Sequence, residues 1–98
     1  MEKEIVRKII ESVFAEHGGE AARKVVMYHL ENVLKVSPGD ALEKPEEFVK
    51  ALKAIYGSFE NYVEAEICKK LAEEYRVNYS GNSLVELANE LRSKRRSR

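Results

Sequence analysis

The chain has no tryptophan, no glutamine and no threonine, and its 98 residues include one cysteine and two prolines. A single cysteine, Cys68, excludes an intrachain disulfide and a cysteine-rich metal site. Two prolines and five glycines exclude a collagen-like or proline-rich chain. The longest uninterrupted apolar run is Val25-Val26-Met27-Tyr28, far short of a secretory core segment or a membrane span. A cytoplasmic, reducing location with no membrane partner is the expectation. Aspartate is nearly missing too, with Asp40 the single one among 17 acids.

What remains is rich in glutamate, lysine and arginine. That bias without glutamine is the one hyperthermophile proteins show, where ion-pair networks gain as the hydration of charge weakens with heat. The same residues are good helix formers, so an ordinary helical protein shares it. Lys plus Arg equal Asp plus Glu at 17 each, but the balance is uneven along the chain. Residues 1–91 hold 12 basic and 17 acidic side chains, a balance of −5. Residues 92–98 hold Arg92, Lys94, Arg95, Arg96 and Arg98 and no acid. The expected organisation is one domain over residues 1–91 and a basic tail over 92–98.

Apolar spacing predicts five helices and no strand. Ile5, Val6, Ile9, Ile10, Val13 and Phe14 recur as adjacent pairs four apart, a helix from about Lys3 to Glu16. His17-Gly18-Gly19 ends it, with His17 in a capping role. The second helix spans about Glu20 to Lys35. Its charges, Glu20, Lys24, Glu31 and Lys35, share one strip, and its apolar arc covers roughly 200° at 100° per residue. That width predicts the central helix of the fold. Ser37 can cap a short turn with Pro38 at its first position. Pro45 opens a third helix to about Tyr56, ended by Gly57, and Ser58 can cap a fourth from about Phe59 to Arg76. Ser83 with Glu86 forms a capping box for a fifth, shorter helix carrying Leu84, Leu87, Ala88 and Leu91. The fold class is all-α: a small bundle of four longer helices and a short C-terminal one.

Few residues stand apart from packing. Glu64 falls on the apolar face of the fourth helix, near Cys68 and between Leu71 and Tyr75. A carboxylate there needs a partner or a raised pKa. The amides of a helix end, a tyrosine hydroxyl, Arg23 or His29 could serve, and it would then pin two helices together. His29 lies in the apolar arc of the second helix, with Val25 and Val33 a turn to either side. No second histidine or acid stands at ligand spacing with it, so it reads as a buried polar residue rather than a metal ligand. Cys68 faces inward as a small core residue. No phosphate loop, dinucleotide fingerprint, zinc-protease helix, calcium loop or nucleophile elbow occurs, and no catalytic, cofactor or metal site is expected. An enzyme would need Glu64, His29 and a tyrosine to converge on one pocket. The cations of residues 92–98 could contact phosphates of a nucleic acid, although no aromatic is interleaved with them.

The stretch GGEAARKVVMYHLE, a loop, and KPEEFVKALKAIYGSFENYVEAEICKKL carries a pattern across Gly19 to Glu74. A helix ending in Tyr28 and Leu30 is followed by Pro45, Phe48, Leu52, Ile55, Tyr56 and Gly57, then by Glu64, Ile67 and Leu71. This resembles the Nitrosopumilus output domains of the fifth type, archaeal modules often found at the ends of signalling or regulatory proteins. The resemblance implies a regulatory module without established catalytic activity, with Glu64 part of the fold's pattern. The expected function is a non-enzymatic helical module acting by protein–protein association, homodimerisation included, with nucleic-acid association through the tail as the alternative. The first helix, Lys3 to Glu16, is the expected self-association surface.

Overall fold

In the computed structural model, residues 2–96 are described, with side chains to residue 93. Five α-helices follow in order: α1 Lys3–Glu16, α2 Gly19–Tyr28, α3 Pro45–Tyr56, α4 Glu60–Glu74 and α5 Leu84–Arg96. Among the described residues there is no strand, so the fold is a small all-α bundle. Helix α5 carries the basic stretch in helical conformation as far as Arg96.

The corner between α1 and α2 is sharp because Gly18 and Gly19 both take positive φ, 135° and 85°. A Cβ on Gly18 would lie 2.7 Å from that of Ala22, so no other residue fits without displacement. Helix α2 then changes pitch. A π-turn covers His29–Val33, with the Leu34 N–H donating to the His29 carbonyl over 2.9 Å. Lys35 ends it at φ 57°, and Val36 N–H reaches back to Leu30 at 2.8 Å. Nothing in the sequence marks this widened turn, which the regular periodicity had read as α-helix to Lys35.

Pro38–Asp40 forms a short 3-10 turn, with Pro38 and Gly39 buried and Lys3 bonded to Asp40 at 2.8 Å. Ser37 precedes it without a side-chain capping bond. Pro45 opens α3 as expected. Ser58 does not cap α4. It sits inside a 3-10 turn, Gly57–Phe59, that joins α3 to α4 without a side-chain cap. Helix α4 ends in a Schellman arrangement: Arg76 N–H bonds to Glu73 at 3.3 Å and Val77 N–H to Ala72 at 3.0 Å. Arg76 takes the left-handed conformation, φ 55°, where glycine is usual.

The core joins Val6, Ile10, Val13 and Phe14 of α1 to Phe48 and Leu52 of α3, Val63, Ile67 and Leu71 of α4, and Leu84 and Leu87 of α5. Helix α4 packs against α1, α3 and α5, whereas α2 packs mainly on α1. The expectation that the second helix would be central is therefore wrong. Val26, Met27 and Leu30 face α1 and are buried, but Val25 and Val33 on the flank stand in water. The apolar arc of α2 is wider than the surface that α1 offers it. The centre belongs to α4, which buries residues over most of its length.

Candidate functional site

Two regions hold residues out of keeping with their surroundings: a pair of carboxyls under the start of α5, and the outward face of α2.

Glu64 is buried. Its Oε2 accepts a hydrogen bond from the Leu84 N–H at 2.7 Å, the first amide of α5. A carboxylate under a helix N-terminus satisfies an orphan donor and meets the positive end of the dipole. The rest of that N-terminus is closed by Ser83 and Tyr79. Glu86 N–H donates to Ser83 Oγ at 3.2 Å, the expected half of a capping box. The other half is altered: Ser83 N–H donates to the Tyr79 hydroxyl at 3.0 Å, and that hydroxyl lies 3.1 Å from the Glu86 carboxylate. A tyrosine thus stands between the two members of the box. Gly81 leaves room for it, since a Cβ there would lie 2.5 Å from the Tyr79 oxygen.

Glu60, one turn before Glu64, was missed by the sequence reading. It is 1 % exposed, and neither carboxyl oxygen has a hydrogen-bond partner among the described residues. Burial and the neighbouring Glu64 push its pKa up to about 7, against a weaker pull from Lys53. The signal was available: Glu60, Glu64 and Cys68 recur every fourth residue on one face of α4. Cys68 lies fully buried. Burial, with Glu64 and Glu60 adding to it, pushes its thiol up to about 12, which leaves it inert as a nucleophile.

His29 is not buried as expected but half-buried, at the start of the π-turn with exposed Val25 and Val33 to either side. Among the described residues, no helix covers that side of α2. Neither His29 nor Glu64 lines the larger clefts, of about 550, 300 and 270 Å³. The largest runs between α4 and residues 76–82, past Glu66, Lys69, Glu73 and Arg76. Two acids and two bases on one wall select no ligand charge. Among the described residues, no group of three or more metal-ligating side chains occurs.

In the basic stretch, Arg92 is engaged with the chain itself. Its Nη2 lies 3.1 Å from the Glu43 carbonyl and 3.4 Å from that of Leu42. Arg98 and the side chains of Lys94, Arg95 and Arg96 lie outside the described residues.

An aromatic staircase leads from the core to the surface at the α1–α2 corner. Phe14 and Tyr56 rings lie 6.1 Å apart, Tyr56 and Phe59 6.3 Å, Phe59 and Tyr62 5.3 Å. His17 meets Phe59 edge-on at 5.3 Å, and its Nε2 is buried without a hydrogen-bond partner. Its ring serves packing there.

The outward face of α2 is the more open region. Val25 is 68 % exposed, Tyr28 64 % and Val33 53 %. Within α2, Ala21, Val25 and Tyr28 are exposed at steps of four and three, and Asn32 and Val33 follow, exposed, in the π-turn. That is the spacing of a seam between two helices. The α1–α2 seam behind it is fixed by a chain of ions. Glu31 pairs with Arg7, Arg7 with Glu11 at 2.8 Å, Glu11 with Arg23 at 3.1 Å, and Arg23 with Glu20. By contrast, most of the apolar pairs of α1, expected to serve self-association, lie in the core: Val6, Ile10, Val13 and Phe14 are buried, whereas Ile5 and Ile9 are half-buried. Once folded, α1 leaves only Ile5 and Ile9 of those pairs partly open among the described residues.

A scan against family models finds no match for this chain, and neither the curated proteins nor the solved structures contain a match.

Proposed function

We propose that this chain is a helical association module that acts by docking the outward face of α2 on a protein surface, with no catalysis of its own. The observation that carries the reading is the exposure of Val25, Tyr28 and Val33 along one helix and its π-turn; Phe59 and Tyr62, also exposed, stack on each other at the end of the aromatic staircase. Isolated exposed apolar residues are ordinary, whereas a stripe at helical spacing marks a helix face without a partner. The resemblance to archaeal output domains implies the same kind of role, and the reading does not depend on it. The five-membered ion chain along α1 and α2, with the Glu-Lys-Arg composition, supports a thermophilic origin, because such networks gain with temperature.

A photo-reactive residue placed at Val25 or Tyr28 tests the reading, with Lys50 as a control position. Specific adducts are expected from the two α2 positions and none from the control. Equal labelling at all three would contradict it. Nucleic-acid association is the second reading, favoured by the helical continuation of the basic stretch to Arg96. A salt-dependent gel shift of the full chain that vanishes in a chain ending at residue 91 would support it. Equal binding, or none, in both forms would end it.

A further inference from the structure

On the reading that the α2 face docks on protein, we propose that its partner is a second copy of this chain. The two α2 helices pair antiparallel about a two-fold axis, Val25 of each against Tyr28 of the other, and Lys24 of each against Glu31 of the other.

The charge pattern carries the argument. A two-fold dimer joins a patch to itself, so the patch must be self-complementary. In an antiparallel helix pair, each flank of the seam meets the same flank of the other helix. On one flank of this seam stand Glu20 and Lys24 of α2, and Glu31 follows in the π-turn, on the side that meets Arg7 of α1. Reversed, the strip sets Lys24 of each copy against Glu31 of the other, a base against an acid on both sides of the axis. A parallel pair would instead set this strip against the opposite flank, toward Ala22 and His29, which carries no acid or lysine to answer it. The same register brings Val25 against Tyr28, so apolar groups meet at the middle.

The ion chain adds a second, independent point. Glu31, Arg7, Glu11, Arg23 and Glu20 are three carboxylates and two guanidiniums, one negative charge in excess. Glu31 ends that chain and is partly open, with a side-chain exposure of 33 %. Lys24 is exposed and makes no ion pair of its own among the described residues. The molecule's own Lys24 acts on Glu20 at one end of the chain, and Lys24 of a second copy supplies a further cation at the Glu31 end.

The seam is short. Residues 19–33 span roughly 22 Å at 1.5 Å per residue, so the pair buries less than the ~1,200 Å² of a stable interface. A weak, concentration-dependent dimer is therefore expected.

Sedimentation equilibrium of the full chain from about 10 µM to about 1 mM tests this. A monomer–dimer equilibrium is expected within that range, several-fold weaker in about 0.5 M salt. Lys24→Glu is expected to weaken it about tenfold, and Lys24→Glu with Glu31→Lys to regain most of the loss. Tyr28→Glu is expected to abolish it. Tyr28 and Lys24 are exposed, so both single variants are expected to fold, which circular dichroism checks. A wild-type chain that stays monomeric at about 1 mM overturns self-pairing. Adducts to another protein at positions 25 and 28 would in that case keep the docking reading alive without it. A dimer that neither Tyr28→Glu nor Lys24→Glu weakens forms on another face and overturns the proposal. Failure of the folded double variant to regain affinity overturns the register.

Discussion

Helix α2 with its π-turn and helix α4 are the same length, ten plus five residues against fifteen, yet they place their groups in opposite ways. Helix α4 takes two carboxyls inside, Glu60 and Glu64, while α2 leaves two valines and a tyrosine outside. The difference comes from neighbours. Helix α4 lies among α1, α3 and α5, so even two of its acids are covered, whereas α2 leans on α1 and keeps one side free. What a helix buries is set by how many elements reach it, and its own apolar arc sets only an upper limit.

The largest expected effect contrasts the two helices directly. Ile67 is fully buried on α4, and Ile67→Ala is expected to cost about 3–4 kcal/mol of unfolding free energy. Val25→Ala on α2 is expected to cost less than about 0.5 kcal/mol in dilute solution, because Val25 stands in water and alanine is the better helix former. Urea denaturation of both variants reads the ratio, and similar losses would break the comparison.

The carboxyl pair of α4 comes next. Glu60 titrates near 7 in the folded chain against 4.5 in the unfolded one, so the folded state holds the proton more tightly. This destabilisation is absent below about pH 4.5, grows as pH rises, and is complete above about pH 7. It amounts to on the order of 3 kcal/mol. Glu60→Met is expected to restore most of that at pH 8 and little at pH 5, since an apolar side chain of similar size carries no charge to bury. Unfolding free energies at the two pH values measure it. A wild type equally stable at both would contradict the role given to Glu60.

These expectations separate what could be read in advance. The limits of α1 and α3 were legible because punctuation marks them: Gly18 and Gly19, Pro45, and Gly57. The start of α5 was legible from Ser83 and Glu86. Glu64 stood out as an acid on an apolar face. The neighbour count of α2 was not legible, because periodicity reports which side of a helix is apolar and not whether anything covers it. The π-turn was hidden for a related reason: it arises from closing the helix onto Val36 and carries no residue of its own. Glu60 escaped because the first turn of a helix is where an exposed acid is ordinary, and only its register with Glu64 set it apart.

Smaller effects sharpen the picture of how α4 holds α5. Tyr79→Phe removes the hydroxyl between Ser83 and Glu86, and about 1 kcal/mol of stability is expected to go with it. Faster exchange of the Ser83 amide would locate the loss, and unchanged exchange would mean that the hydroxyl is not its acceptor. The smallest effect has the opposite sign. Arg76→Gly relieves a left-handed residue at the end of α4 and is expected to raise stability by about 0.5 kcal/mol, the strain removed being partly offset by glycine's entropy. A loss on that substitution would show that the Arg76 side chain holds more than its backbone costs.

The most direct measurement of the central claim follows backbone amide resonances of the full chain as it is diluted. With α2 as the docking face and a second copy as its occupant, shifts are expected at Lys24, Val25, Tyr28 and Asn32, while Val63, Ile67 and Leu71 of α4 stay still. Dilution shifts that centre on another helix, or none across the accessible range, would contradict it.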